Sequence, residues 1–191
     1  MGRWEPDARG RLQRAALDLY AERGFEVTTA QEIAERAGVT ERTFFRYFAD
    51  KREVLFDGSH LLVEAVVQGV TEADAATAVA MVEQGFAAGT GFFDERREWS
   101  VKRSAVIDAN PSLQERELLK LSTMNTAVAD ALRARGVTSS EADLAADLGV
   151  ALFHRTFRRW VDGDGRARFT VTLHEVYRDF AALTAMAGAV P

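Results

Sequence analysis

The sequence contains no cysteine, only three prolines and no apolar run of membrane-spanning length. Without cysteine the chain can hold no disulfide, no thiolate zinc site and no cysteine nucleophile. A membrane span needs roughly 18 apolar residues, and residues 1–5 lack the apolar stretch of a secretory signal. We therefore expect a cytoplasmic protein with no membrane partner.

An excess of positive charge is also missing. The chain carries 24 basic and 29 acidic residues, a net charge of −5, whereas DNA-binding domains are usually basic. Between Thr40 and Arg52, however, four basic residues stand against two acidic ones. Any nucleic-acid site must therefore concentrate positive charge locally. The hydrophobic fraction of 47% is high enough for most of the chain to fold around a core.

Helical periodicity runs through the whole sequence, and the alternation typical of strands is scarce. The pattern predicts an all-α fold with a three-helix head and a larger C-terminal helical bundle. Thr29 with Glu32 and Asp50 with Glu53 have the spacing of capping boxes at two helix starts. About nine helices are predicted, over residues 7–23, 31–37, 41–48, 50–70, 74–92, 97–109, 111–135, 140–161 and 172–187.

Two of the short helices form a helix-turn-helix around the turn Gly38-Val39-Thr40. On the second helix Phe44 and Phe48 share a core-facing side. Arginine can bond guanine in a major groove, phenylalanine can touch a thymine methyl, and hydroxyl groups can bind phosphates. The alternative is that the arginines are ordinary solvated charges and that Phe45 packs against the first helix. The exposed and flanking side chains in this prediction are Arg42, Thr43, Phe45, Arg46 and Tyr47.

Residues 11–56 carry a longer pattern at fixed spacing. It comprises Arg14-Ala15-Ala16, Leu19-Tyr20, Gly24-Phe25, Thr28-Thr29, Ile33-Ala34, Ala37-Gly38-Val39-Thr40, Thr43-Phe44-Phe45-Arg46-Tyr47-Phe48, Lys51 and Val54-Leu55-Phe56. This pattern resembles the DNA-binding head of the TetR family of bacterial transcriptional regulators. The family commonly has Leu-Tyr where this chain has Phe44-Phe45, which removes one hydroxyl group from this position.

The resemblance implies roles for particular residues and for the two parts of the chain. Residues 1–56 would be a helix-turn-helix DNA-binding domain, and residues 57–191 a ligand-sensing and dimerisation domain. The protein would be a repressor, not an enzyme, released from an inverted-repeat operator in double-stranded DNA by a small-molecule effector, with no cofactor. Phosphates would be held by Thr29, Thr43, Tyr47 and Lys51, and bases would lie near Arg42, Phe45 and Arg46.

The predicted helix over 140–161 has two apolar stripes more than 100° apart. One stripe would pack in the chain's own core, and the other would form a homodimer through the last two helices. The alternative is a core formed entirely within one chain. The first stripe consists of Ala146, Val150, Phe153, Phe157 and Trp160, and the second of Leu144, Leu148, Ala151 and Leu152. To the contact with the two-fold partner the last helix would contribute Leu173, Val176, Tyr177, Phe180 and Leu183.

Aromatic and thioether side chains of the central helices are candidates for binding a mainly apolar effector, although most such side chains serve as core. Two other functions stay open. An enzyme would need a nucleophile and base at recognisable spacing, and a metal site would need more than isolated histidines; neither pattern is found. A protein-interaction module could keep the helix-turn-helix shape without binding DNA. The effector candidates are Phe86, Trp99, Met124, Phe153, Phe157 and Trp160.

Overall fold

The computed structural model describes residues 7–187, and in this range the chain forms nine α-helices and two 3₁₀ helices without a strand. The predicted all-α fold, with a helix-turn-helix head and a larger helical bundle, is confirmed. The chain packs into two compact units. No helix of the described range is both long and apolar enough to cross a bilayer.

The N-terminal unit contains residues up to 57 and also residues 101–117. Gly38 adopts a positive φ of 69° in the turn of the helix-turn-helix, where a side chain would strain the backbone. The elements are α1 (Ala8–Arg23), α2 (Ala30–Arg36), α3 (Glu41–Tyr47), a 3₁₀ helix (Glu53–Phe56), the C-terminal part of α6 (Arg97–Asp108) and the first turns of α7 (Pro111–Ala134).

Arginine contacts attach residues 101–117 to this unit. Arg103 donates from Nε to the Leu55 carbonyl at 2.8 Å and from Nη1 to Glu117 at 3.1 Å. Its guanidinium lies 4.9 Å from the centre of the Phe56 ring. Burial lowers the pKa of Arg103, and the attraction of Glu117 only partly opposes this shift. Sequence periodicity did not join 101–117 to the head, because these contacts link distant parts of the chain.

The C-terminal unit contains residues 58–100 and the chain from 118 onward. Its core includes six aromatic rings in contact, with neighbouring centroids 4.6–6.3 Å apart: Phe86, Phe93, Phe153, Phe157, Trp160 and Phe169. Its elements are α4 (Ser59–Glu72), α5 (Ala78–Gly89), a second 3₁₀ helix (Gly91–Arg96), the start of α6, most of α7, α8 (Ser139–Asp162) and α9 (Phe169–Ala187).

The prediction of one helix over residues 50–70 is wrong. Asp50 caps the next turn through Oδ1, which accepts from the amides of Arg52 at 2.7 Å and Glu53 at 3.1 Å. Only a 3₁₀ helix follows. The chain then turns at Asp57 and Gly58, where Gly58 has a φ of 81°, before α4 begins. A positive φ cannot be accommodated inside a right-handed helix, so the turn separates the two segments.

Two further helix boundaries differ from the prediction. The helix predicted over 74–92 spans only Ala78–Gly89, because Thr77 caps its start with Oγ1 accepting from the Ala80 amide at 3.2 Å. The last helix starts at Phe169 instead of residue 172. The carboxylate of Asp94 accepts from the Phe169 amide at 2.7 Å and so satisfies a helix-start donor from elsewhere in the unit.

Candidate nucleic-acid interface

Helix α3 is anchored by aromatic rings on one side and exposed on the other. Thr40 caps it, with Oγ1 accepting from the Thr43 amide at 3.2 Å. Phe44 is 0% exposed and Phe48 is buried beside it, as predicted. Phe45 is 52% exposed and touches Phe44 only edge-on, with ring centroids 5.2 Å apart. The alternative in which Phe45 is buried against the first helix is therefore wrong.

Two arginines share the exposed side of α3 with Phe45. Arg42 and Arg46 are both exposed, and the Arg46 guanidinium lies 5.0 Å from the centre of the Tyr47 ring. Arg46 Nη2 is 3.4 Å from the Tyr47 hydroxyl, which gives the long arginine side chain a support on the helix surface. We call Arg42, Phe45 and Arg46 the recognition face. In a major groove, the two guanidiniums can donate hydrogen bonds to base edges, and the ring can contact a thymine methyl.

Thr29 begins α2 with the predicted capping box. Its Oγ1 accepts from the Glu32 amide at 3.2 Å, and its own amide donates to Glu32 Oε2 at 2.8 Å. The Thr29 hydroxyl also donates to that carboxylate at 3.0 Å. The hydrogen bonds from Thr29 lower the pKa of Glu32. Thr29 is exposed, so a phosphate at this position needs only the hydroxyl proton that Glu32 now accepts, and the hydrogen bond from the Thr29 amide to Glu32 can stay in place.

Lys51 points toward the turn between α1 and α2. Its Nζ donates to the carbonyls of Phe25, Glu26 and Thr28 at 2.8, 3.0 and 2.9 Å. The ammonium lies 4.4 Å from the centre of the Phe25 ring. The predicted helix over 50–70 would have placed Lys51 in its first turn. Lys51 instead follows Asp50 in a turn that precedes a 3₁₀ helix.

The seven residues predicted to bind DNA all belong to the N-terminal unit, but they do not form one continuous set. Five lie on α3, one caps α2, and Lys51 contacts the α1–α2 turn. Their contacts with DNA stay predictions. The α3 residues are Arg42, Thr43, Phe45, Arg46 and Tyr47, and the other two are Thr29 and Lys51.

Sequence reasoning did not identify Arg11 as a residue that holds the helix-turn-helix together. Arg11 Nε donates to the carbonyl of Ala37, which ends α2, at 3.0 Å. On the same helix pair, Arg36 contacts Glu22 at 3.0 Å and lowers the pKa of that carboxylate. Gly38 was the sequence signal for such a contact. It marks a tight turn at the end of α2, and a helix that ends this way leaves carbonyls that need donors from elsewhere.

The effector candidates lie in the C-terminal unit, mostly inside its core. Five of them are buried in one apolar cluster, and Phe86 stacks on Phe153 with centroids 4.9 Å apart. Trp99 is half-buried on α6 and lies outside that cluster. Two surface grooves, between α5 and α8 and between α5 and α9, have none of the six candidates in their linings. The clustered five are Phe86, Met124, Phe153, Phe157 and Trp160.

The two stripes of α8 differ in burial. The stripe that includes Phe153 and Trp160 is buried in the C-terminal unit, so this part of the prediction is confirmed. In the second stripe Leu144 is 68% exposed, Ala151 is exposed, and Leu148 and Leu152 are half-buried. The chain therefore does not cover this stripe itself.

Helix α9 is more buried within its own unit than the sequence predicted. Its residues Leu173, Val176 and Tyr177 were predicted to serve the dimer face, but they are buried within the unit. Phe180 is half-buried and Leu183 is exposed. Of the five predicted residues of α9, only Phe180 and Leu183 keep exposed apolar surface, and both lie in the C-terminal half of the helix.

Comparison of the sequence with protein families gives a match in the N-terminal region. Residues 12–57 match the sequence model of the family described as bacterial regulatory proteins, tetR family. The HTH-type transcriptional regulator TcmR of Streptomyces glaucescens is 52% identical over 46 residues, which are 24% of this chain and 20% of TcmR. The matched curated relatives are aligned over only a fifth to a third of their length.

Solved structures match over most of the chain at low identity. FadR of Thermus thermophilus, a TetR-family repressor in complex with lauroyl-CoA, has a TM-score of 0.52 and 24% identity over 89% of this chain and 91% of that one. FadR of Bacillus subtilis, in complex with stearoyl-CoA, has a TM-score of 0.62 and 19% identity over 87% and 94%. At this low identity the matches show that the fold is shared. The sequence similarity to a named family lies in the N-terminal part of the chain. Residues 12–57 are therefore similar in sequence to the tetR family of bacterial regulatory proteins.

Proposed function

We propose that this protein is a dimeric, DNA-binding transcriptional repressor whose recognition face enters the major groove of an inverted-repeat operator. The observation that carries the proposal is the exposure of Phe45 between two exposed arginines on a helix held from behind by Phe44. Exposure of an aromatic ring to water is unfavourable, and contact with a thymine methyl would remove part of that apolar surface from water. The flanking guanidiniums can bond guanine O6 and N7.

The second apolar stripe of α8 supports dimerisation. Leu144 and Leu183 are both exposed, and large apolar patches on a soluble protein mark interaction surfaces. Residues 141–147 contain three acidic side chains and residues 155–159 contain three arginines. An antiparallel two-fold pairing of α8 with its copy brings the acidic half against the basic half. Such pairing presents the same patch on both subunits, as a two-fold dimer requires.

Capture of genomic DNA fragments by the purified protein, followed by sequencing, tests this function. We expect enrichment of an inverted repeat whose half-sites are about 34–36 Å apart or a multiple of this distance. Affinity should fall with salt by about 0.9 log units per log unit for each phosphate contact. Absence of enrichment, or a monomer at micromolar concentration, would contradict the proposal and favour a protein-interaction module.

The recognition face is tested by Arg46→Ala on variants of the captured operator. If Arg46 reads guanine, the loss is about 1–3 kcal/mol and preference relaxes at particular base pairs. Arg14→Ala is the control, because Arg14 is an exposed arginine of α1 that pairs with Asp7. An unchanged ranking of operator variants would make Arg46 a phosphate contact or a bystander.

We further propose that a small, mainly apolar effector binds among the aromatic side chains of the C-terminal unit and releases the operator. Phe157 and Trp160 line the packed cluster, so an effector must separate rings that now touch. Because two FadR proteins of the same fold bind acyl-CoA, lauroyl-CoA and stearoyl-CoA are the first compounds to titrate.

The effector experiment is a titration of lauroyl-CoA with and without operator duplex. If the effector weakens operator binding tenfold, the operator must weaken effector binding tenfold, a coupling of about 1.4 kcal/mol. Phe157→Ala should change the effector response more than operator affinity, and the exposed Phe92→Ala is its control. Equal effector affinities in both titrations would show that the sites are uncoupled.

A further inference from the structure

The ammonium group of Lys51 is fully engaged within the N-terminal unit. A lysine ammonium has three N–H donors, and three carbonyl oxygens lie within 3.0 Å of Nζ: those of Phe25, Glu26 and Thr28. The Phe25 ring covers the same group at 4.4 Å. This arrangement leaves no ammonium proton for an external anion unless a carbonyl contact is given up.

The backbone of Lys51 is held as firmly as its side chain. The Tyr20 hydroxyl, on a side chain that is almost entirely buried, donates to the Lys51 carbonyl at 2.6 Å. Tyr20 also packs edge-on against Phe25, with ring centroids 5.1 Å apart. Lys51 therefore links the segment that leaves α3 to the turn that precedes α2.

The turn that Lys51 holds leads directly into Thr29. The peptide group between Thr28 and Thr29 is fixed from both ends. Its carbonyl accepts from Lys51 Nζ at 2.9 Å, and its N–H donates to Glu32 Oε2 at 2.8 Å. Movement of the ammonium would release the carbonyl end and let the Thr29 side chain shift.

We propose that Lys51 is a positioning residue, which places Thr29 for DNA by fixing the Phe25–Thr28 turn, and that it does not itself bind a phosphate. The inference rests on the proposed DNA-binding function. The competing outcome is a direct phosphate contact, in which the ammonium leaves the turn when DNA binds. That exchange would strip three carbonyls of a charged donor, and charge-assisted hydrogen bonds are among the stronger ones in proteins.

The test compares Lys51→Arg, Lys51→Met and Thr29→Ala with the double variant Thr29→Ala/Lys51→Met. Arg52→Gln is the matched control, because Arg52 is the neighbouring exposed cation and pairs with Asp50 at 2.9 Å. The probe is a mixed-sequence duplex of about 30 base pairs, since phosphate contacts do not depend on sequence. Affinity is measured as a function of KCl concentration, with the unfolding transition of every variant recorded.

Lys51→Arg separates the two roles. Arginine keeps the charge that a phosphate contact needs, but its planar fork cannot direct donors at three converging carbonyls. A positioning role predicts that Lys51→Arg and Lys51→Met both weaken binding by about three- to thirtyfold, as distant positioning substitutions do, with an unchanged salt slope. Overturning results are an Arg variant with wild-type affinity, or a Met variant whose salt slope falls by about 0.9 for each phosphate that the protein no longer neutralises.

The double variant tests whether Lys51 acts through Thr29. Once Thr29 is removed, Lys51→Met should weaken binding little further, so the two effects together should be smaller than their sum. Full additivity would overturn the inference. The inference would also be overturned if Lys51→Met lowered the unfolding midpoint but left duplex affinity unchanged, because Lys51 would then only stabilise the fold.

The free protein provides an independent measurement. In Lys51→Arg the backbone amide NMR signals of Glu26, Thr28 and Thr29 should move, whereas in Arg52→Gln they should stay in place. Unmoved signals would overturn the inference without any DNA, and they remain measurable if Lys51→Met fails to fold. A wild-type protein that does not bind the duplex at any salt would instead refute the proposed function, so the two failures are distinguishable.

Discussion

The two units use cations in the same way but build their cores differently. In the N-terminal unit Lys51 and Arg11 donate to carbonyls at helix ends and turns. In the C-terminal unit Arg97 donates to the carbonyls of Trp160 and Gly163 at the end of α8, at 3.1 and 2.7 Å. Helix ends leave carbonyls without intrahelical partners wherever they occur. A basic residue in a DNA-binding head therefore cannot be assigned to DNA from its position in the sequence alone.

The difference between the units lies in what fills the interior and what stays exposed. The C-terminal unit has a cluster of aromatic rings and has glycines where α4 and α5 pack together, and it exposes the apolar side chains Leu144 and Leu183. The N-terminal unit packs the half-buried Arg103 against Leu55 and Phe56, and it exposes two arginines around Phe45. These surfaces suit different partners: a second protein surface for the first and a charged groove for the second.

The largest expected effect tests aromatic packing in the C-terminal unit. Phe86 is fully buried and stacks on Phe153, so Phe86→Ala should lower the free energy of unfolding by about 3–5 kcal/mol. Phe92 is 42% exposed, and Phe92→Ala should cost less than about 1 kcal/mol. Denaturant titration measures both, and equal losses would contradict the role given to the ring cluster.

The close contact of α4 and α5 gives the next effect. A Cβ added to Gly85 would lie 2.4 Å from Val70 Cγ2 and 2.9 Å from the Val66 carbonyl oxygen. Gly85→Ala should therefore cost about 1–3 kcal/mol through overpacking, although alanine favours helix. Gly91 has no neighbour within 4 Å of the added atom, and Gly91→Ala is the control. A neutral Gly85→Ala in thermal unfolding would mean that the helices separate easily.

The third prediction concerns Arg103, the half-buried arginine of the N-terminal unit. Arg103→Met keeps the apolar stem but leaves the Leu55 carbonyl and Glu117 without this donor, so it should cost about 1–2 kcal/mol of unfolding free energy. Lys102→Met is the control, because its pair with Asp18 is more exposed and should contribute only a few tenths. Similar values from chemical denaturation would remove the contrast between the two positions.

The smallest effect compares one helix cap from each unit. Thr40 and Thr77 both accept from a backbone amide at 3.2 Å, at the starts of α3 and α5. Removal of such a cap costs about 1 kcal/mol. Thr40→Ala should lower the thermal midpoint more than Thr77→Ala, because the seven-residue α3 has fewer other contacts than the twelve-residue α5. The serine variants should restore both, and a larger loss at Thr77 would contradict this ranking.

The sequence predicted the features of this protein that depend on neighbouring residues. Spacing placed Phe44 and Phe48 on the buried side of α3, and the Thr29–Glu32 box formed as expected. These features depend on contacts within one or two helical turns, so residue order alone specifies them. Helical periodicity continues on both sides of Gly58, so the sequence pattern alone does not predict the break there.

The tertiary structure alone decided which partner each long side chain has. The Lys51 ammonium binds a carbonyl 26 residues away, and the amide that starts α9 donates to a carboxylate 75 residues away. It also decided that Tyr177 is buried while Leu144 is left exposed, although both belong to apolar helix faces. Helical spacing determines which side chains share a face, but only the packing of distant helices determines what that face meets.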